Sequence, residues 1–330
     1  MQNESPFGTA HVDASNAYRD LPILKPPTWK NEIASYFYFG GISGGASVIA
    51  ALAELVGGRS LQRLARVAHW VAFLTLLPCP PLLIADLGVP ARFHHMLRVF
   101  KPSSPMNLGS WILTGHGALL TLATLRTMAN RIPLFGPLLR IVPTQPVAAA
   151  ELPIGLGLGG YTGVLIGTTS IPVWSKSPFL GGLFMASAMS TGAAAVSLAA
   201  SATGESQAER ETLSTISIGS GLVELVMLAM YLMTSGSAAK PLLDGSSSGI
   251  TIGGAAATAG AVALEAMSRR LPFGAGLLTR VSAVSTLAAG AALRFSIVHA
   301  GQPSASDRDE TLRGMTTPHG WAPPRIGEPA

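Results

Sequence analysis

This sequence has almost no cysteine and few charged side chains. Cys79 is the one cysteine among 330 residues, which excludes an internal disulfide framework and any four-cysteine iron–sulfur or zinc site. Only 12% of the residues are charged, against roughly 25% in soluble domains. Too few charges remain to cover a water-soluble globule of this size, so the sequence predicts that lipid surrounds much of the chain.

The net charge of +5 at pH 7 does not indicate a nucleic-acid partner. The basic residues cluster in short connections between apolar runs, a pattern typical of membrane topology. Residues 1–30 are polar and have no apolar core like that of a cleavable signal peptide, so we expect a polar N-terminal tail. The polar, proline-rich residues 301–330 predict a second, C-terminal tail.

Between the tails lie eight apolar segments near or above the roughly 20 residues needed to cross a bilayer. They are approximately residues 33–56, 67–86, 107–128, 148–172, 179–201, 213–234, 249–267 and 277–299. Backbone polar groups in lipid must be satisfied internally, so we predict an all-α integral membrane protein with eight transmembrane helices. Small-residue runs at 40–45 and 155–160 predict close packing between helices.

A weak internal repeat divides the eight helices into two groups. The sequence YFGG at 38–41, followed by a small-residue run, is echoed by FLGG at 179–182 and a second such run. We interpret the echo as a parallel duplication, although composition bias alone could produce it. The predicted domains are a first four-helix bundle over 31–175 and a second over 176–300.

Lysines and arginines in the short loops predict the orientation. Loops after odd-numbered helices carry Arg59, Arg63, Arg66, Arg131, Arg140, Arg210, Arg269 and Arg270, and loops after even-numbered helices carry Arg92, Arg98, Lys101, Lys176 and Lys240. The excess places the odd loops on the cytoplasmic side of the inner membrane. Both termini and residues 86–113 are then expected on the outer side.

Residues 86–113, DLGVPARFHHMLRVFKPSSPMNLGSWIL, concentrate charge, rings and proline between two apolar segments. With YFYFGGISGGA at 36–46 and YTG at 161–163, this stretch resembles the NrfD/PsrC family, the membrane subunits of polysulfide-reductase-like respiratory complexes. The resemblance covers roughly residues 28–300. Residues 86–113 carry its most specific motif.

The resemblance implies a subunit that reacts with quinone or quinol, either menaquinone or ubiquinone, and that holds no haem, metal or flavin itself. It also implies that electrons pass between the quinone and a docked four-cluster, ferredoxin-like iron–sulfur subunit. That subunit would serve a molybdopterin-type catalytic subunit. The terminal substrate and the direction of electron flow stay open.

A quinone site needs an apolar groove, donors for two carbonyl oxygens and a route for protons. The predicted quinone-binding residues are Tyr161, Tyr36, Glu32, Asn31, Asp86 and Arg92. Tyr161 matches the family's tyrosine in helix four, whereas Tyr36 stands where the resemblance implies a histidine, which leaves the second donor open. Alternatively, Tyr36 belongs to an interfacial aromatic belt, and Asp86 and Arg92 pair to hold the loop.

Four basic residues of the same loop are predicted to dock the partner subunit: His94, His95, Arg98 and Lys101. Their charges suit an acidic iron–sulfur subunit, and the alternative is that they are solvated loop residues. Adjacent side chains such as His94 and His95 diverge on a helix, so we predict no shared metal.

Ionisable residues inside apolar spans are functional candidates. The proton-path candidates are Glu54, His116, Glu224, Glu265 and Arg294. A route through them would make the quinone chemistry electrogenic. Alternatively, Glu54 and Glu265 lie near a membrane surface, and Glu224 and Arg294 pair with each other.

Three alternative functions are compatible with the same sequence features. A bis-histidine haem on His69 and His116 would need two histidines at matched depth, and these two differ in depth. A secondary transporter would also show repeats, glycine-broken helices and buried charges. A third alternative is a non-catalytic anchor that holds a reductase on the membrane.

Overall fold

The computed structural model describes residues 23–129, 136–244, 247–271 and 274–316, and these residues contain no β-strand. Most of the two predicted tails, residues 1–22 and 317–330, therefore lies outside the described residues. The helices are α1 Asn31–Val56, α2 Gln62–Leu76, α3 Cys79–Ala85, α4 Pro105–Thr127, α5 Gly136–Ile141, α6 Thr144–Gly167, α7 Pro172–Ser175, α8 Leu180–Ala202, α9 Gln207–Ser235, α10 Lys240–Leu243, α11 Ser248–Ser268, α12 Ala275–Ser306 and α13 Arg308–Thr316. Short 3₁₀ helices lie at Gly58–Leu61, Pro90–Leu97 and Gly236–Ala239.

Eight of these helical segments are long and apolar enough to cross a membrane, which confirms the predicted eight spans. They are α1, the pair α2–α3, α4, α6, α8, the pair α9–α10, α11 and α12. The second span is broken between Leu76 and Cys79, where Pro78 removes a backbone donor. The protein is all-α and crosses the membrane several times.

Helices α1 and α8 form the most buried part of the structure. α1 packs against α2, α6, α8 and α12, and α8 packs against α1, α2, α6, α9 and α12. A Cβ atom on Gly44 would lie 2.6 Å from the carbonyl oxygen of Gly155, which confirms the predicted close helix packing at small-residue runs. Because α1 and α8 pack together as closely as neighbours within one half, the division into two bundles stays a prediction.

The connections lie at two ends of the helix array. The arginine-rich end contains the connections that follow α1, α4, α8 and α11, where the Arg63 guanidinium pairs with Glu209 at 2.8 Å and joins α2 to α9. The opposite end, called here the 86–104 end, contains the start of α1, residues 86–104 and α7. Arg131, used in the orientation prediction, lies outside the described residues.

The C-terminal segment is helical beyond residue 300. α12 runs to Ser306, and α13 follows, so the described part of the predicted tail is ordered as helix. The Ser304 hydroxyl accepts a hydrogen bond from the Val173 backbone N–H at 3.0 Å, and the Lys176 ammonium pairs with Glu310 at 2.6 Å. These contacts hold residues 301–313 against α7 and the residue that follows it.

Candidate functional site

A pair of tyrosine hydroxyls lies near the 86–104 end between α1 and α6. The Tyr36 and Tyr161 hydroxyl oxygens are 2.8 Å apart, although 125 residues separate them in the chain. Tyr36 is 1% exposed. Gly109 of α4 makes room for this pair, because a Cβ atom there would overlap the Tyr161 ring. The close packing of α1, α4 and α6 therefore fixes both hydroxyls.

The tyrosine pair borders a cavity of about 50 Å³, called here the tyrosine cavity. Its walls are largely apolar and aromatic and include Trp29, Phe37 and Leu165. Asp86 is the one ionisable carboxyl group among the described residues that line it. The two tyrosine hydroxyls, the Ser110 hydroxyl and one carboxyl in an apolar cavity form the polar set that a planar ligand with carbonyl or hydroxyl groups requires.

Asp86 lies just after α3, outside the membrane-spanning helices. Burial raises the pKa of its carboxyl above the ordinary value, and the nearby Glu32 carboxylate raises it further. Lys30 opposes this shift. A carboxyl whose neutral form is favoured beside a cavity is suited to exchange protons with a ligand.

A larger apolar groove of about 240 Å³ lies next to the tyrosine cavity. The groove runs between α2–α3, the 90–97 helix and α4, and it shares Leu83, Met96 and Ser110 with the tyrosine cavity. The Ser110 hydroxyl donates to the Met96 sulfur at 3.7 Å, so these two side chains stand between the two spaces. Met is flexible and adapts to a ligand readily.

Asn107 holds the loop over these two spaces. Its amide nitrogen donates to the Met96 and Val99 carbonyl oxygens at 2.8 and 2.9 Å, and its amide oxygen accepts from the Lys101 backbone N–H at 2.7 Å. The Ser104 hydroxyl caps α4 by accepting from the Asn107 N–H at 3.4 Å. The first turn of α4 thereby determines the course of residues 96–101.

The structure brings three of the six predicted quinone-site residues together, namely Tyr36, Tyr161 and Asp86. Asn31 and Glu32 do not line the tyrosine cavity, although Glu32 acts on Asp86 through its charge. Arg92 is exposed, and it makes no ion pair with Asp86 in the described part of the chain. The alternative prediction of an Asp86–Arg92 pair is therefore wrong.

The predicted docking residues lie on the surface of the same loop. His94, His95, Arg98 and Lys101 are all exposed. The rings of His94 and His95 meet edge to face with centroids 4.4 Å apart, so the prediction that these two side chains diverge is wrong. These four residues are accessible to a partner at the 86–104 end.

In the first four spans, two histidines are buried with polar partners. His116 lies 3.0 Å from the Ser43 hydroxyl, and His69 lies 3.1 Å from the Glu151 carboxylate. Glu151 is 1% exposed and was absent from the sequence-based candidates, because it lies near the start of an apolar span. The two histidines therefore belong to separate polar pairs at different depths.

In the last four spans, Glu224 and Arg294 do not pair directly. Arg294 donates to the Ser187 hydroxyl at 2.7 Å and to the Phe37 carbonyl oxygen at 3.1 Å, while Glu224 accepts from Ser190. The predicted direct pair is therefore replaced by contacts through serine hydroxyls of α8, which lie one turn apart between the two charged groups. Arg294 also joins α12 to α1.

Glu265 is 4% exposed, and its carboxylate makes no hydrogen bond or ion pair with the residues that the structure describes. It lines two spaces at once. One is a polar cavity of about 620 Å³ at the arginine-rich end, and the other is a cavity of about 10 Å³ deeper in the membrane. The deeper cavity is also lined by Ser190, the partner of Glu224.

Comparisons with known proteins agree on one family. The profile of the family described as Polysulphide reductase, NrfD matches residues 23–305. The sequence is 26% identical over 175 residues to a polysulfide reductase chain of Wolinella succinogenes, which is 50% of this protein and 55% of that one. It is 26% identical over 94 residues to a selenate reductase subunit of Mesobacillus selenatarsenatis, 28% of this protein and 22% of that one. The matches thus span about half or less of these curated relatives.

Proposed function

The chain belongs to the NrfD family, and on that premise we propose that it is the quinone-reactive membrane subunit of a respiratory reductase complex. The similar protein from Wolinella is named as one chain of a polysulfide reductase, and the one from Mesobacillus as one subunit of a selenate reductase. By analogy, this protein works with a molybdopterin-type catalytic subunit and a four-cluster iron–sulfur subunit.

The observation that carries the proposal is the hydroxyl pair of Tyr36 and Tyr161, 2.8 Å apart in a largely apolar cavity. A quinone ring placed there would receive a hydrogen bond from a tyrosine hydroxyl at one carbonyl oxygen. The isoprenoid tail would follow the adjoining apolar groove. The two spaces, about 50 and 240 Å³, together approach the lower end of the roughly 300–1,000 Å³ of ligand cavities, so a shift of Met96 is needed for entry.

Asp86 provides the proton exchange in this proposal. Oxidation of a quinol releases two electrons and two protons, and reduction of a quinone takes up the same numbers. The tyrosine hydroxyls hold the reacting oxygens, and the Asp86 carboxyl, whose pKa is raised by burial and by Glu32, passes protons to water at the 86–104 end. The electrons pass to or from the iron–sulfur partner.

The partner is proposed to sit on residues 86–104, directly over the cavity. His94, His95, Arg98 and Lys101 present cationic or polar groups there, and they complement an acidic protein surface. This arrangement keeps the quinone close to the first iron–sulfur cluster. We propose the cytoplasmic membrane as the location, with the 86–104 end and both termini on the outer side.

A route for protons is proposed through the last four spans. It begins in the 620 Å³ cavity at the arginine-rich end, continues through Glu265 and the small serine- and threonine-lined cavity, and reaches Glu224 through Ser190. The small cavity of about 10 Å³ is close to the minimum that holds one water molecule. Glu54 and His116 would belong to a second, separate proton route in the first four spans.

The test is replacement of Tyr161 by Phe in the assembled complex. Loss of the hydroxyl removes a donor to the quinone oxygen and leaves the ring packing intact, so we expect quinol turnover to fall by about ten-fold or more. Tyr38→Phe is the matched control, because the Tyr38 hydroxyl donates to the Leu287 carbonyl oxygen at 3.0 Å and does not line the tyrosine cavity. Its turnover should change by less than about two-fold.

Two alternatives predict other results, one in this experiment and one on purification. Unchanged turnover and unchanged binding of a quinone-site inhibitor in Tyr161→Phe would indicate a non-catalytic anchor. A secondary transporter would purify without iron–sulfur and molybdopterin subunits and would bind a solute alone.

A further inference from the structure

The largest of the cavities described here lies at the arginine-rich end, at the opposite end of the spans from the proposed quinone site. It has a volume of about 690 Å³ and lies between the end of α1, the start of α2, the end of α4, α5 and the start of α6. We name it the arginine cavity. Its volume is well above that of a single small ion and lies within the roughly 300–1,000 Å³ typical of ligand cavities.

Four arginines from separate segments line this cavity. Arg59 comes from the 3₁₀ helix after α1, Arg66 from α2, Arg126 from the last turn of α4 and Arg140 from α5. Glu54 is the one carboxylate among the lining residues that the structure describes. The cavity thus carries an excess of positive charge, and its like charges repel one another unless an anion enters.

Two of the four arginines of the cavity differ from their neighbours in how they are bonded, whereas Arg126 donates to the Thr144 hydroxyl. Arg63 and Arg210, at the same end, are held by Glu209 and Glu205 at 2.8 and 2.9 Å. By contrast, Arg59 and Arg66 make no ion pair or side-chain hydrogen bond with any residue that the structure describes. Their guanidinium groups therefore remain able to bind a ligand, and the planar guanidinium fits phosphate oxygens two at a time.

The segments around the cavity also expose apolar side chains. Val56 at the end of α1 is 81% exposed, and Leu138 and Ile141 of α5 are 63% and 76% exposed. Such side chains at the end of a membrane span lie at the level where lipid headgroups meet acyl chains. A soluble anion would gain nothing from them, whereas a phospholipid would place its phosphate in the cavity and its chains along these residues.

From these observations we propose that the arginine cavity binds the phosphate headgroup of an anionic phospholipid. The shared chemistry is phosphate recognition by Arg59, Arg66 and Arg126, and the exposed apolar rim favours a lipid over free phosphate. Basic cavities between membrane helices are a known way to hold anionic headgroups. The site does not depend on the quinone assignment, because it lies at the other end of the spans.

The test uses the full-length protein, purified in a neutral detergent and titrated with short-chain phosphatidylglycerol. Bound lipid is counted by native mass spectrometry, and the midpoint of thermal unfolding is recorded in parallel. Phosphatidylcholine of the same acyl length and inorganic phosphate are the two comparison ligands. We expect phosphatidylglycerol to bind and to raise the unfolding midpoint, and we expect neither comparison ligand to do so.

The deciding variant is the double substitution Arg59→Gln and Arg66→Gln. Because each arginine supplies charge-assisted hydrogen bonds, the dissociation constant for phosphatidylglycerol should rise by about ten-fold or more. The matched control is Arg270→Gln with Arg280→Gln, since both residues are exposed and neither lines the cavity. That control should change the dissociation constant by less than about two-fold.

Three outcomes would overturn the proposal. Equal affinity of the double variant for phosphatidylglycerol would show that these arginines do not form the site, and equal binding of phosphatidylcholine would show that headgroup charge is irrelevant. If inorganic phosphate raised the unfolding midpoint and phosphatidylglycerol did not raise it further, the cavity would be a site for a soluble anion. If the double variant does not fold, Arg59→Gln alone, at an exposed position, should still weaken phosphatidylglycerol binding by about three-fold or more, and unchanged binding there would equally refute the lipid site.

Discussion

Tyr36, Tyr161 and Asp86 show what the sequence can reveal about single residues in a membrane protein. Each lies near the 86–104 end of its span, and their depth follows from counting residues at about 1.5 Å each along an apolar helix. Depth alone was enough to predict that the three could meet. The contact between the tyrosine hydroxyls could not be derived, because residue counting gives no rotation of a helix about its axis.

Met96, Ser110 and Glu151 were missed for the same reason. Met96 and Ser110 separate the cavity from the groove, yet in the sequence they are an ordinary apolar and an ordinary small residue. Glu151 is buried against His69, but its position near the start of a span made it resemble a surface residue. Only helix packing shows which way such side chains point.

Replacing Asp86 by Asn tests the proton exchange at the residue scale. The pKa of Asp86 is raised in the folded protein, so folding favours the neutral carboxyl. The wild type therefore loses stability as the pH rises from the ordinary pKa near 4 through the raised pKa. The always-neutral Asn variant should lack that loss and should have the higher unfolding midpoint at pH 7. The difference should shrink toward pH 4.

The same Asp86→Asn variant should lower quinol turnover by about ten-fold or more, because a proton-exchanging group is removed from the cavity. The measurement is turnover against pH in the complex. A variant with the turnover and the pH profile of the wild type would exclude Asp86 from the proton exchange.

Two elements at the 86–104 end differ from the single uninterrupted span and the loop that the sequence predicts. The second span is divided into α2 and α3 at Pro78, and the 3₁₀ helix at 90–97 and the loop after it are held by the side chain of Asn107. At the other end, α9 begins at Gln207, six residues before the predicted start. The capping box of Ser206 and Glu209 explains the early start, and this S-x-x-E pattern is readable in the sequence.

Asn107→Ala tests whether the first turn of α4 determines the loop. The variant loses three hydrogen bonds to the loop backbone, each worth about 1 kcal/mol net. We expect faster amide hydrogen exchange over residues 96–104, measured by mass spectrometry, and weaker binding of the iron–sulfur partner. Asn31→Ala, at an exposed position, is the control, and equal exchange rates in both variants would contradict this role of Asn107.

At the scale of the whole molecule, Arg294 connects the first half of the protein to the second. Its buried guanidinium contacts a carbonyl of α1 and a hydroxyl of α8. Hydropathy predicted the eight spans and their order, since apolar length is a property of the sequence alone. Small-residue runs mark the faces that pack closely, but they do not show which helices pair, so the contact of α1 with α8 could not be predicted.

Glu265→Gln tests whether the second half carries protons. The variant keeps the shape of the side chain but cannot release a proton, so the number of protons translocated per electron should fall by about half or more, while quinol turnover stays within about two-fold. The measurement uses the complex in proteoliposomes with an internal pH indicator. Glu211→Gln, exposed at the mouth of the same cavity, is the control, and an unchanged proton yield in Glu265→Gln would refute the route.

The quinone site itself is tested most directly by a photoreactive quinone. The assembled complex is illuminated with an azidoquinone, and the labelled peptides are identified by mass spectrometry. We expect adducts within residues 83–113 and on the α6 peptide that contains Tyr161, and an excess of unlabelled quinone should suppress them. Adducts confined to residues 180–306, or adducts that unlabelled quinone does not suppress, would contradict the proposed site.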